Sequence, residues 1–172
     1  SELQDEHHAM IERLGTGLRS VDDLSKFLRS TTLRTSARNQ FRGQITKILK
    51  GGINTEVELR LNESSKIIAT VTNESVKQMG LKKGAYAIAL IKSSWIILST
   101  DRDITTSARN RLEGTVNKII KGKVNSEIQL NLGAEKRLSC ILTNESVNSL
   151  KLRKRQTAYA LFKASSVILM SD

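Results

Sequence analysis

Short runs that alternate apolar and polar residues dominate the chain from about residue 40 onward. In "TEVELRL" (55–61) and "SEIQLNL" (126–132) every second residue is apolar from the third onward, and "GQITKIL" (43–49) and "GTVNKII" (114–120) mix apolar and polar residues in the same way, except for an adjacent apolar pair at the end of each. Alternation with a period of two is typical of strands with one buried face. Gly and Asn lie between the runs, where they supply the backbone freedom that a reversal needs. The pattern therefore predicts two hairpins of short strands.

Each hairpin is followed by further predicted elements. A third strand is predicted at 66–71, and "NESVKQMGL" (73–81) predicts a short helix that Asn73 can cap, with Val76, Met79 and Leu81 pointing inward. "YAIALIKSSWIILS" (86–99) closes the unit and is too apolar for an exposed strand. Five short strands and a small helix in about 67 residues suit a small closed barrel of the OB type.

The unit occurs twice. "TSARN" stands at 35–39 and again at 106–110, and a shift of 71 positions aligns 35–101 with 106–172 without a gap. About 29 of the 67 aligned positions are identical, which indicates two copies of one unit, here called the first and second repeats. Only "RDIT" (102–105) separates them, so we expect them to pack as neighbours. The predicted fold class is mainly β, with two tandem OB-like five-stranded barrels.

Residues 1–34 follow a different pattern. Apolar residues recur at helical spacing over 10–18 and 21–28, and "SVDD" (20–23) is typical of a helix start. We predict a short helical linker here. His7 and His8 do not indicate a metal site, because adjacent histidines on a helix point about 100° apart and no further ligand is at hand.

Composition narrows the classes of function. With 28 Lys and Arg against 17 Asp and Glu, the formal net charge of +11 attracts anions. Nucleic acid is the usual partner of so basic a domain, but the chain has only 1 Trp, 2 Tyr and 3 Phe, so stacking platforms for single strands are scarce. No basic helix suited to a major groove is visible either.

The same inventory indicates a compartment. No apolar run approaches the roughly 18 residues that cross a bilayer, and the first 30 residues or so lack the apolar stretch of a signal peptide. Cys140 is the single cysteine and cannot form an internal disulfide, which agrees with a reducing compartment. We therefore expect a cytoplasmic protein with no membrane association.

A lysine interrupts the most apolar segment of each repeat. Lys92 lies within "AIALIKSSWIIL" (87–98), and Lys163 lies within "AYALFKASSVIL" (158–169). A buried ammonium without a partner is costly, so either the lysine reaches water from the outer face of a strand or an anion is its partner. Recurrence in both repeats, directly before the small residues Ser93 and Ala164, favours an anion site.

Other donors recur in the same register. They are Ser36, Arg38, Thr72 and Ser75 in the first repeat, and Ser107, Arg109, Thr143 and Ser146 in the second. Taken singly, "TSARN" is also explained by a turn that enters a strand, and "TNESV" by a capped helix. Their joint repetition favours a site with many donors and few acceptors, provided that Glu74 and Glu145 point away. Such a site suits a fully deprotonated tetrahedral oxyanion better than a protonated phosphate.

These stretches resemble a known family. "SARNQFRGQITKI", "VTNESVKQMGLKKG" and "ALIKSSWIIL" resemble the Mop or molbindin module, a small OB-like unit that binds molybdate. The tandem pair resembles the di-Mop effector portion of ModE-type molybdate-responsive transcription regulators. The resemblance covers 35–172, and it implies that 1–34 connects to an N-terminal winged-helix DNA-binding domain that is not in this chain.

The resemblance also implies the site and its use. Molybdate, or tungstate, would be held from one protomer by Ser36, Arg38, Lys92 and Ser93, and from the other protomer of a homodimer by Thr72 and Ser75. The second repeat keeps equivalents of these residues: Ser107, Arg109, Thr143, Ser146, Lys163 and Ala164. Anion binding between protomers would favour one dimer geometry, which an attached DNA-binding domain would sense.

Two other functions are weighed against this one. A free-standing molbindin would store molybdate without touching DNA, and the helical segment 1–34 argues against it. An OB-type nucleic-acid binder would explain the charge, and the scarcity of aromatic residues argues against it. No Ser-His-Asp set, matching carboxylate pair or phosphate-cradling glycine loop is visible, so we expect a binding protein and not an enzyme.

Overall fold

A computed structural model describes residues 34–172, which contain two five-stranded antiparallel sheets. The linker predicted for 1–34, with His7 and His8, lies outside the described residues except for Arg34. In the first repeat the elements are β1 (Asn39–Lys50), β2 (Asn54–Arg60), β3 (Lys66–Thr72), α1 (Asn73–Met79), β4 (Tyr86–Ile91), a 3-10 turn (Ser93–Trp95) and β5 (Ile97–Ser99). In the second they are β6 (Asn110–Lys121), β7 (Asn125–Gly133), β8 (Lys136–Thr143), α2 (Asn144–Ser149), β9 (Thr157–Phe162), a 3-10 turn (Ala164–Ser166) and β10 (Ile168–Ser171).

The alternating residues of the strands form the core, as predicted. Equivalent positions of the two repeats are almost completely buried: Val57, Leu59 and Ile67 in the first and Ile128, Leu130 and Leu138 in the second. Each such side chain contributes about 1.5–3 kcal/mol relative to an exposed one. Leu81 is also buried, and Val76 and Met79 of α1 pack against the same core, so the predicted inward face of this helix is confirmed.

Close approach of the strands requires a glycine in β1. A Cβ added to Gly43 would lie 2.7 Å from the carbonyl oxygen of Arg60 on β2, which is closer than real Cβ atoms come. The register between β1 and β2 shifts between Ile45 and Lys47, which marks a bulge beyond this contact. The repeated glycine therefore has a packing reason.

The two repeats exchange their last strands. The first sheet has the order β10-β4-β1-β2-β3, and the second has the order β5-β9-β6-β7-β8. The mainly β fold class with two five-stranded units is confirmed, but each sheet takes its fifth strand from the other repeat. We expected 86–99 to close its own unit; instead the 3-10 turn Ser93–Trp95 breaks this stretch, and β5 pairs with β9 of the other repeat. The stretch Ser36–Asp172 consequently forms one compact unit.

The asparagine of each "TSARN" joins the two repeats. Asn110 is 2% exposed; its Nδ2 donates to the carbonyl of Ile68 at 2.8 Å, and its Oδ1 accepts from the Ile68 N–H at 2.7 Å. Asn39 makes the same pair of bonds to Ser139, at 2.8 and 2.7 Å. Each side chain thus pairs with a strand of the other repeat as a peptide group would. In residues 34–172, no helix is long and apolar enough to span a membrane.

Candidate functional site

Strand register brings the predicted arginine and lysine of each repeat to the same end of a sheet. Asn39 pairs with Ile91 at the last position of the β1–β4 ladder, so Arg38 and Lys92 are the next residues on neighbouring strands. The second repeat repeats this arrangement, because Asn110 pairs with Phe162 and is flanked by Arg109 and Lys163. Ser36 and Ser107 lie two residues before the arginines and are exposed. The structure therefore brings together the residues that the sequence placed 54 positions apart.

Lys92 is not buried within a strand. It lies between the end of β4 and the 3-10 turn, and it is half-buried. Its Nζ lies 5.5 Å from the centre of the Trp95 ring, within the range of a cation–π contact. The next residue, Ser93, is 4% exposed, and its Oγ has no hydrogen-bond partner. Within the described residues it is the one buried side-chain polar atom in this condition. A buried hydroxyl left unpaired costs free energy, so this position is suited to a polar ligand.

The second repeat has the same backbone conformation around its lysine but different neighbouring side chains. Lys163 precedes the 3-10 turn as Lys92 does, but it is exposed, and Ser166 stands where Trp95 stands in the first repeat. Ala164 is buried at the position of Ser93 and carries no hydroxyl. The two candidate sites are therefore alike in charge and different in their neighbouring groups.

The predicted hydroxyl pairs begin the short helices. Thr72 Oγ1 accepts from the Ser75 N–H at 3.1 Å and lies 2.8 Å from Ser75 Oγ, and Thr143 and Ser146 make the same contacts. The expectation that Asn73 caps α1 is wrong, because Thr72 is the N-cap. Asn73 instead donates to the Gly51 carbonyl at 3.0 Å and ties the helix to the β1–β2 turn.

The hydroxyl pair of the second repeat lines a cleft against the first repeat, together with Glu145. A cleft of about 520 Å³ lies between the first-repeat residues 96–98 and the second-repeat residues 141–143, and Thr143 and Ser146 line it. No hydrogen bond or ion pair joins Thr72 or Ser75 to Arg38 or Lys92 in the described residues. Their approach from a second protomer stays a prediction.

Sequence reasoning missed two carboxylates that lie beside the arginines. Both oxygens of Glu56 on β2 accept from Arg109, at 2.9 and 3.0 Å, and Glu127 on β7 lies 3.6 Å from Arg38. Glu56 and Glu127 are equivalent, and their identity in both repeats was the available signal. Glu74, which was expected to point away from the site, accepts a hydrogen bond from Gln78 along α1.

Hydrogen bonding alters the acidity of one of these carboxylates. The Ser139 hydroxyl donates to Glu127 at 2.8 Å and, as the main cause, lowers the pKa of Glu127 below its ordinary value of 4.5; Gln129 and the charge of Arg38 add to this, while partial burial opposes it. Glu127 is therefore ionised at neutral pH. Among residues 34–172, no group of three His, Cys, Asp or Glu side chains is placed to hold a metal ion.

Comparison with known proteins places the chain in a family. The TOBE domain matches residues 35–98 and 106–169. The chain is 38% identical over 169 residues to the molybdenum transport protein ModE of Herbaspirillum seropedicae. This alignment covers 98% of this chain and 63% of that protein. It is 39% identical over 165 residues to the molybdenum-pterin-binding protein MopA of Rhodobacter capsulatus, covering 94% and 62% of the two chains.

A solved structure agrees with this assignment. The cytoplasmic molybdate-binding protein ModG, with molybdate bound, superposes with a TM-score of 0.78 at 38% identity, over 81% of this chain and all of that one. The chain spans just under two thirds of the length of the curated relatives above. Since both repeats match over most of their length, the chain belongs to the TOBE-domain family and carries two tandem copies of its domain.

Proposed function

We propose that the two repeats bind molybdate and that the chain is the anion-sensing portion of a molybdate-dependent transcription regulator. The observation that carries the proposal is the position of Arg38 and Lys92, which directly flank the last paired residues at one end of the first sheet, as Arg109 and Lys163 do in the second. Support also comes from relatives named for molybdenum transport and from the likeness to a ModG structure with molybdate bound.

The chemistry of the site suits a tetrahedral dianion. Arginine offers a fork of N–H donors, lysine offers a compact positive charge, and their hydrogen bonds to an anion are charge-assisted. The unpaired Ser93 hydroxyl adds a neutral donor to the first site. Tungstate has nearly the same size and charge as molybdate, so we expect it to bind as well. These groups bind an anion without transforming it, and the proposed role is not enzymatic.

The regulatory half of the proposal concerns a second protomer and a DNA-binding domain. A homodimer would bring Thr72 and Ser75 of one protomer to the anion held by the other, and the anion would then stabilise one arrangement of the dimer. A DNA-binding domain upstream of residue 1 would respond to that arrangement through thermodynamic linkage. The relatives of similar sequence extend beyond the part matched here, and one is named as a DNA-binding dual regulator.

A second function is favoured by a specific observation. The match to ModG covers 100% of that chain, so a tandem pair of repeats also exists as a molybdate-binding protein by itself. Storage and regulation are separated by a mobility-shift assay of the complete gene product with its own promoter DNA, with and without molybdate. Molybdate-dependent binding supports the regulator, and absence of any DNA binding supports storage.

Calorimetric titration tests the binding site. Molybdate is titrated into the unmodified chain and into the Lys92→Ala and Lys163→Ala variants, and sulfate and phosphate are titrated for comparison. Lys83→Ala and Lys154→Ala are matched controls, because these lysines are also repeated and exposed but lie in the loops that follow the helices.

The outcomes differ clearly. If the proposal is correct, each site variant loses part of the molybdate heat while both controls keep it. If the unmodified chain binds no molybdate, or if all four variants bind alike, the anion site is not where we place it.

A further inference from the structure

The two repeats hold their arginines differently, and this bears on the order in which the sites fill. We propose that the Arg38 site takes the oxyanion first. The ion pair with Glu56 occupies the donors of Arg109, so the second site fills only at higher anion concentration. The inference rests on the proposed function and adds a role for a carboxylate that no motif of the sequence indicated.

The geometry of the two ion pairs is unequal. Arg109 donates from both terminal nitrogens to the two oxygens of Glu56, in the bidentate arrangement that is strongest for these groups. Arg38 approaches one oxygen of Glu127 at 3.6 Å, beyond hydrogen-bonding distance. Two donors of Arg109 are therefore already used by a carboxylate, while those of Arg38 have no such partner.

A single difference between the repeats explains the unequal pairs. Ser139 is adjacent to Glu127 and donates its hydroxyl to the same oxygen that Arg38 approaches, at 2.8 Å. The equivalent residue of the first repeat is Ile68, which has no side-chain donor. Glu127 is thus satisfied by its own repeat, whereas Glu56 has Arg109 as its side-chain partner.

Two further differences act in the same direction. Trp95 lies beneath the Lys92 ammonium and helps to position it, and Lys163 has Ser166 at that place. Ser93 brings a buried hydroxyl without a partner, and Ala164 brings none. Three independent substitutions between otherwise equivalent sites therefore favour the first.

Binding at the second site must then displace a carboxylate. An incoming oxyanion competes with Glu56 for the same N–H groups of Arg109, and the displaced carboxylate must turn to water. The Glu56 and Arg109 side chains are 29% and 57% exposed, so this displacement is open to solvent and reversible. We expect the two affinities to differ by about tenfold or more, which corresponds to about 1.4 kcal/mol.

Calorimetry of the full chain with molybdate tests this order. The unmodified chain should show two classes of site, of which Arg38→Ala removes the tighter and Arg109→Ala the weaker. Glu56→Gln keeps the shape but removes the charge, and it should tighten the weaker class severalfold. Ser139→Ala should free Glu127 to hold Arg38 and weaken the tighter class. Glu63→Gln, in an exposed loop, is the matched control, and thermal melting checks that each variant folds.

Other outcomes would overturn the inference. Equal affinity at both sites of the unmodified chain contradicts it, and so does a Glu56→Gln variant that leaves the weaker class unchanged while remaining folded. Loss of the weaker class in Arg38→Ala would reverse the proposed order. A complete absence of molybdate binding by the unmodified chain would instead remove the proposed function, and this inference with it.

Discussion

Replacing Asn110 with alanine should destabilise the chain more than most polar substitutions do. The side chain is 2% exposed and makes two short bonds with the backbone of Ile68 in the other repeat, at 2.7 and 2.8 Å. Alanine leaves the N–H and the carbonyl of Ile68 without partners, and each buried group left unpaired costs about 1–3 kcal/mol. We expect the free energy of unfolding to fall by about 2–6 kcal/mol in total.

The assay is thermal and urea unfolding followed by circular dichroism. For a unit of this size a loss of about 1 kcal/mol lowers the melting temperature by about 3 °C, so the expected fall is about 6–18 °C. Asn39→Ala should cost less, because its bonds to Ser139 are only partly buried and water can reach the vacated groups. Asn148→Ala is the control, since Asn148 is exposed on α2. A loss below about 0.5 kcal/mol for Asn110→Ala would refute the reasoning.

Three further predictions concern the backbone and the thiol. Gly43→Ala should lower the free energy of unfolding by about 1–3 kcal/mol in urea unfolding, because the added Cβ would lie 2.7 Å from the Arg60 carbonyl oxygen. Arg155→Gly should raise stability by about 1 kcal/mol in the same assay, because Arg155 has φ of 68° where the first repeat has Gly84. Burial raises the pKa of Cys140 to about 12, so a maleimide reagent should label it only after unfolding. Since this pKa lies above the ordinary value of 9.0, the protonated thiol favours the folded state below pH 9.0, and this contribution to stability is lost as the pH rises toward 12. The Cys140→Ala variant should lack this part of the pH dependence.

Much of the fold could be predicted from local pattern. The strands at Val57–Leu59 and Ile128–Leu130 followed from alternation, and the two helices followed from polar residues at a helix start. The cap itself was misassigned to Asn73, because "TN" offers two side chains that can cap and only the backbone of Thr72 has the extended conformation that a cap requires.

The exchange of strands could not be predicted in this way. Residues 86–99 contain enough apolar residues for one strand or two, and their pattern does not tell which sheet they join. The 3-10 turn at Ser93–Trp95 directs β5 to β9 of the other repeat, and the pairing of β10 with β4 completes the exchange. Strand partners far apart in sequence are fixed by packing, not by local propensity.

Some residues of the candidate site could be identified from the sequence, and others only from the structure. The repeat alone identified the arginines and lysines, because charge at equivalent positions is visible in a sequence. It could not identify Glu56 or Glu127 as their partners, since each arginine meets the carboxylate of the other repeat. Ser93 was named from the resemblance, but the burial of its hydroxyl without a partner is a property of its surroundings that the sequence does not show.

The sequence by itself determined that this protein is two copies of one small β unit with a basic, donor-rich motif in each, because alternation, repetition and charge are local properties. Only the tertiary structure decided that the copies share strands, that the "TSARN" asparagines join them, and that their two arginines are held unequally. Those features depend on atoms brought together across roughly 40 to 100 residues of chain, where the free energy of burial and hydrogen bonding acts and a linear pattern carries no signal.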